Sequence, residues 1–164
     1  MFVQENSNPF LEICFRPTVA TINEARRLVA ALYAPLVSDI DIAQRVAMTT
    51  HELLENALKY SLDGRTVLRI ELSHESGPRT ITVETRNSIS PERKAGLLEA
   101  FEEMRRFGDA SEFYQFAMKR TRSIRHGSGL GLARIWAEAE MELSNSFSGD
   151  EARVVATLSI EEPK

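Results

Sequence analysis

The sequence lacks most of the features that would identify a function at once: it has one cysteine, no long apolar run and no excess of positive charge in 164 residues. A lone Cys14 allows neither an internal disulfide nor a thiolate metal cluster, and its neighbours indicate a small strand residue. With a net charge of −4, the chain lacks the basic surface that nucleic-acid phosphates require. No segment is typical of a membrane span or a signal peptide. We therefore expect no nucleic-acid partner, no membrane association and a reducing cytoplasmic location.

The composition is that of an ordinary globular protein, with 43% hydrophobic and 27% charged residues. We find no internal repeat, low-complexity tract or linker rich in proline and serine. A chain of this length can bury a sizeable core as one unit. We therefore expect residues 1–164 to form a single domain.

The first part of the chain has patterns of one strand and two helices. Alternating Leu11, Ile13 and Phe15 within 10–17 predict a short strand that Pro17 ends. Thr21 and Glu24 have the spacing of a capping box and predict a helix that ends near Pro35. Ser38 and Asp41 have the same spacing and predict a second helix that runs to about residue 60.

The rest of the chain alternates between strand and helix patterns. A turn at 62–65 precedes two strands, 66–73 and 80–87, which Gly-Pro joins as an antiparallel pair. A helical pattern follows from Pro91 to about Lys119, with a break at 107–111. A helix over 130–141 and strands over 142–147 and 152–160 complete the chain. This order predicts an α+β two-layer sandwich, with a mixed, mostly antiparallel sheet packed on helices.

Polar residues follow one stripe of the second helix. Glu52, Asn56 and Lys59 stand at positions i, i+4 and i+7, so they lie on one side of the helix. Asparagine is a weak helix former, and its place in mid-helix is mildly unusual. The plainer alternative is a solvated face with a Glu55–Lys59 pair.

A glycine-rich loop precedes the helix at 130. Gly127, Gly129 and Gly131 fit neither the phosphate loop of nucleoside triphosphatases nor the dinucleotide fingerprint. Backbone amides at a helix N-terminus nevertheless favour an anion. Basic residues lead into this loop, although each one alone is more typical of a solvated charged surface than of a phosphate contact: Lys119, Arg120, Arg122 and Arg125.

Taken together, the two segments resemble the motifs of a known family. "ELLENALKYS" (52–61) followed far downstream by "GSGLGLARI" (127–135) resembles the N box and the late glycine box of the GHKL superfamily. This is the gyrase and histidine-kinase type of ATP-binding domain, with the Bergerat fold. Its element order matches the α+β order above, so the resemblance extends over nearly the whole chain.

The resemblance implies ATP and Mg²⁺ as cofactors and assigns roles by position. Asn56 corresponds to the Mg²⁺ ligand, Glu52 to the general base, and Lys59 to a residue near the phosphates. It also implies a helical lid over about 88–126. The loop and the start of its helix would contact ATP, with the two leucines also anchoring the helix in the core: Arg125, Gly127, Ser128, Gly129, Leu130, Gly131 and Leu132.

The chain departs from the family between these two motifs. The usual middle motif is D-x-G-x-G, whose aspartate accepts a hydrogen bond from the adenine amino group. Here the sequence is "VETRNSISPE" (83–92), without aspartate or glycine. Asn87 is the best substitute for that acceptor, and Thr85 is the alternative if the register shifts by two residues.

The function that the resemblance implies is regulatory. None of His51, His74 and His126 heads the long dimerisation helix of a sensor histidine kinase. We therefore expect an ATP-binding regulator similar to bacterial anti-sigma-factor serine kinases, acting as a serine/threonine kinase or a weak ATPase. Its partner would be a protein in trans, of the anti-sigma antagonist or sigma-factor type, and a homodimer is compatible with this type. The alternative is a degenerate, non-catalytic GHKL domain that serves as an interaction module.

Overall fold

The computed structural model describes residues 8–74, 77–123 and 129–160. Five strands and five helices follow each other along this part of the chain. Their order is β1 (Phe10–Phe15), α1 (Val19–Val37), α2 (Ile40–Tyr60), β2 (Ser61–Ser73), β3 (Arg79–Ile89), α3 (Pro91–Arg105), α4 (Ala110–Ser123), α5 (Leu130–Ala137), β4 (Glu142–Ser148) and β5 (Glu151–Ile160).

The five strands form one sheet in the order β1-β2-β3-β5-β4. Each neighbouring pair is antiparallel, so the sheet of the described residues has no parallel pair and is not mixed. Alternate residues of β2 and β3, such as Leu68, Ile70 and Val83, are fully buried against the helices. The predicted α+β fold is confirmed, including the antiparallel pairing of β2 with β3.

The helical layer is attached to the sheet through α1 and α2. Tyr33 of α1 is buried, and its hydroxyl donates a hydrogen bond of 2.7 Å to the carbonyl oxygen of Ile70 in β2. Burial is the main cause that raises the pKa of Tyr33 to about 12. α2 packs against α1 and against strands β2 and β3, so this face of α2 lies in the core.

The two ends of α1 differ from the prediction. The N-cap is Thr18, whose side chain accepts a bond from the Thr21 amide, while the Thr21 hydroxyl accepts one from the Thr18 amide. Thr21 therefore takes the place that glutamate usually has in a capping box, and the predicted Thr21–Glu24 box is wrong. The helix also continues past Pro35 to Val37, although proline lacks the backbone donor of one helical bond.

Other boundaries shift by a few residues. Asp39, not Ser38, caps α2, and its carboxylate accepts bonds from the backbone amides of Asp41 and Ile42. The predicted turn at 62–65 lies inside β2 as an irregularity of the pairing. α5 ends at Ala137 rather than 141, because Glu140 has the left-handed φ of 51° that terminates a helix.

The segment predicted to form a lid contains α3 and α4. α3 begins at Pro91, with Ser90 as its N-cap, so residues 88 and 89 still belong to β3. The predicted break at 107–111 separates the two helices. None of the helices in the described ranges combines the length and apolar character that a bilayer crossing needs.

Candidate functional site

The polar stripe of α2 faces the N-terminus of α5 across a small cavity. The cavity has a volume of about 260 Å³. Six predicted site residues line it: Glu52, Asn56, Lys59, Gly129, Leu130 and Gly131. Glu55 and Arg134 complete the lining. Two motifs that are far apart in the sequence therefore meet in one place.

Gly131 lies where no other residue would fit without displacing a side chain. A methyl group added at this position would lie 2.9 Å from Glu52 Oε2 and 3.7 Å from Asn56 Nδ2. Gly129 has a different reason to be glycine, because it caps α5 with a φ of 103°, which side chains disfavour. Gly131 thus allows the close approach of α5 to α2, and Gly129 allows the backbone turn that begins α5.

Glu52 is nearly buried and is paired with a cation that the sequence patterns did not indicate. Only 5% of Glu52 is exposed, and its Oε1 accepts a hydrogen bond from Arg134 Nη1. Burial raises the pKa of Glu52, and the charge of Arg134 opposes that rise without cancelling it. The carboxylate is thus held in place by an arginine from the facing helix.

Asn56 presents an unsatisfied polar group at the cavity. Its Nδ2 is buried and has no hydrogen-bond partner among the described residues. A buried amide without a partner is unfavourable by about 1–3 kcal/mol. A ligand in the cavity would offer this side chain the partner that it lacks.

Lys59 makes a different contact from the predicted one. Its Nζ lies 5.0 Å from the ring centroid of Tyr60, whereas Glu55 is paired with His51 Nε2 at 3.2 Å. Burial, followed by the charge of Arg120, lowers the pKa of Lys59. The predicted Glu55–Lys59 pair is therefore wrong, and Lys59 lines the cavity without it.

Part of the predicted basic segment and glycine loop lies outside the described residues. This applies to Arg125, Gly127 and Ser128, and to the side chain of Arg122. Arg120 is described, and its Nη1 lies 2.6 Å from Glu103 Oε2. Its plainer role as a charged residue in a surface ion pair is the one that the structure supports.

The residues expected to read the base lie on β3, and they are not among those that line the cavity. Thr85 and Asn87 are both buried, and Asn87 Nδ2 donates a bond of 3.0 Å to the carbonyl oxygen of Ser88. The side-chain oxygen of Asn87 thus keeps its capacity to accept a bond. Leu132 is buried in the core, as expected for a residue that anchors α5.

Arg134 is the residue that the sequence interpretation missed. It projects from α5, and its Nε also lies 3.4 Å from Glu138 Oε2. A charged residue in the otherwise apolar "LGLARIWA" was the available signal. Its partner Glu52 is 82 positions away, so no local periodicity could indicate the pair.

Comparison with known proteins adds a fold but no family. No protein-family model matches the chain, and no curated protein matches it. Among solved structures, the chain is similar to one in the crystal structure of the SiaB–SiaC complex from Pseudomonas aeruginosa. The TM-score is 0.63 at 15% sequence identity, over 90% of this chain and 89% of that one. At this identity the similarity shows a shared fold alone.

The raised pKa of Glu52 predicts a pH dependence of stability that Glu52→Gln should remove. A raised pKa means that the folded state holds the proton more tightly than the unfolded state. The stability that this proton contributes is complete below the unfolded pKa and is lost as the pH rises through the folded pKa. The free energy of unfolding of the wild type, minus that of the variant, should therefore fall as the pH rises above the ordinary glutamate pKa of about 4.3.

Urea unfolding at several pH values measures this difference. Glu99→Gln is the matched control, because Glu99 is exposed on α3, and its difference from the wild type should change less. A difference for Glu52→Gln that stays constant or grows with pH would contradict the assignment.

Proposed function

We propose that this chain is a bacterial regulatory ATP-binding protein of the anti-sigma-factor/serine-kinase type. It binds Mg-ATP in the cavity between α2 and α5 and acts on a protein partner in trans, in the cytoplasm. The observation that carries the proposal is the meeting of Glu52, Asn56 and Lys59 with the glycine-bearing start of α5. These residues provide groups that can bind an anion, coordinate a cation and accept a proton, all within a cavity of about 260 Å³.

The phosphate groups are accommodated by α5 and Lys59. The first amides of a helix have no partner within the helix, and the helix dipole favours an anion beside them. Because Gly131 has no side chain, this helix end approaches the stripe of α2 closely. Lys59 adds a positive charge at the same wall, as a phosphate site requires.

Asn56 suits a magnesium ion that is shared with the nucleotide. Mg²⁺ accepts an amide oxygen and keeps several waters, and takes further ligands from phosphates. Within the described ranges, no group of three or more His, Cys, Asp or Glu residues forms a metal site. Asn56 would supply a protein ligand, and bound Mg²⁺ would neutralise phosphate charge. Glu52, one turn away, would accept the proton of the attacking hydroxyl or water.

A protein partner is supported by the surface of α1 and by the structural neighbour. α1 exposes three leucines at four-residue spacing, on one side of the helix, that the core does not use: Leu28, Leu32 and Leu36. Such a group of apolar residues is typical of a surface that another protein covers. The similar solved chain is itself part of a two-protein complex. This surface would suit either a regulatory partner or a second copy of the chain.

Two substitutions should abolish binding of Mg-ATP while the protein remains folded. Gly131→Ala places a methyl group against Glu52 and Asn56, although alanine is favoured over glycine in a helix by about 1 kcal/mol. Asn56→Ala removes the proposed metal ligand. At 100 times Kd, Mg-ATP should stabilise the wild type by about 2.7 kcal/mol, which raises the Tm by about 5–10 °C. Thermal shift and calorimetry measure both effects.

Gly108→Ala is the matched control for this test. Gly108 has no heavy atom near its substituted position, and it lies between α3 and α4. This variant should bind Mg-ATP as the wild type does. The proposal is wrong if the wild type shows no binding, or if Gly131→Ala and Asn56→Ala both bind normally.

The second candidate, a non-catalytic interaction module, is favoured by the position of Thr85 and Asn87, which are not among the residues that line the cavity. Phosphate release and phosphorylation of a partner separate the two candidates. If Glu52 is the base, Glu52→Gln should lower turnover by about 10²–10⁴-fold while Mg-ATP still binds. Turnover that is absent from the wild type, together with normal binding, would favour the interaction module.

A further inference from the structure

Arg134 links the two helices that line the candidate site. Its Nη1 donates to Glu52 of α2, and its Nε lies 3.4 Å from Glu138, just after α5. Glu138 is in turn hydrogen-bonded to the hydroxyl of Tyr114 in α4. The guanidinium is therefore held from two sides, and its position fixes that of the Glu52 carboxylate.

If a nucleotide binds in the cavity, the negative charge of Glu52 needs a compensating cation beside it. Glu52 and Glu55 are the carboxylates of the lining, and Lys59 and Arg134 are its cations. Glu55 is more than half exposed and paired with His51, so water screens its charge. Glu52 is almost buried, and its charge acts strongly on any anion in the cavity.

Resting on the proposed function, we propose that Arg134 is a positioning residue that fixes the Glu52 carboxylate and neutralises it. This neutralisation allows the phosphates of a nucleoside triphosphate to bind beside a buried anion. The role acts through Glu52, so it depends on the charge of that residue. This role affects binding and turnover differently. Binding requires that the charge of Glu52 is compensated by Arg134 or is removed, whereas turnover requires Glu52 itself.

A double-substitution experiment tests this role. Arg134→Met leaves Glu52 uncompensated and should weaken Mg-ATP binding by about tenfold or more. Adding Glu52→Gln to that variant removes the uncompensated charge and should restore affinity to within about threefold of Glu52→Gln alone. Turnover should stay low in both variants. Arg134→Lys keeps the charge and should recover most of the affinity.

The control is Arg105→Met, because Arg105 lies at the end of α3, where it contacts Asn145. This variant should bind Mg-ATP normally. A ligand-free measurement completes the test, since Arg134→Met should lower the Tm more when Glu52 is present than when Gln replaces it.

The possible outcomes distinguish this inference from the proposed function. If the wild type binds Mg-ATP and Arg134→Met does not weaken this binding, the inference is overturned and the proposed function stays intact. The same holds if adding Glu52→Gln to Arg134→Met does not restore the binding. Equal losses of Tm with and without Glu52 also overturn it. A wild type that binds no Mg-ATP overturns the proposed function and the nucleotide role of Arg134 with it.

Discussion

The close approach of α5 to α2 at Gly131 is the constraint on which the candidate site depends. A methyl group at this position would lie within 2.9 Å of a Glu52 oxygen, a distance that side-chain carbons do not tolerate. Because α5 begins so near the polar stripe of α2, the first backbone amides of α5 lie at the same small cavity as the side chains of Asn56 and Lys59. A side chain at this position would displace the Glu52 carboxylate from its place beside Arg134 or would move α5 away from α2.

The fold serves this approach by holding both helices on the same sheet. α2 leads directly into β2, and α5 is followed by β4 at the far edge of the sheet. The buried face of α2 packs on β2 and β3, which leaves its polar stripe to face α5. Arg134 then joins the two helices by an ion pair with Glu52. Packing thus sets the distance between the helices, and this pair sets the orientation of the carboxylate.

Local patterns in the sequence predict the elements better than their ends or their long-range pairs. Alternation predicts the strands well, because one face of each is buried. The caps are misplaced because Thr18 and Asp39 stand close to residues that fit the same spacing. The Arg134–Glu52 pair could not be predicted from local patterns, since its two residues are 82 positions apart in the sequence. Whether Asn87 reads a base stays a prediction.

The side-chain amide of Asn56 offers the most direct test of the central claim, that Mg-ATP binds between α2 and α5. Its signal can be followed by NMR in ¹⁵N-labelled protein and assigned by its loss in Asn56→Ala. The account predicts that this signal shifts on addition of Mg-ATP, and shifts less with ATP in the presence of a chelator. A signal that stays in place while Mg-ATP shifts residues elsewhere would contradict the account.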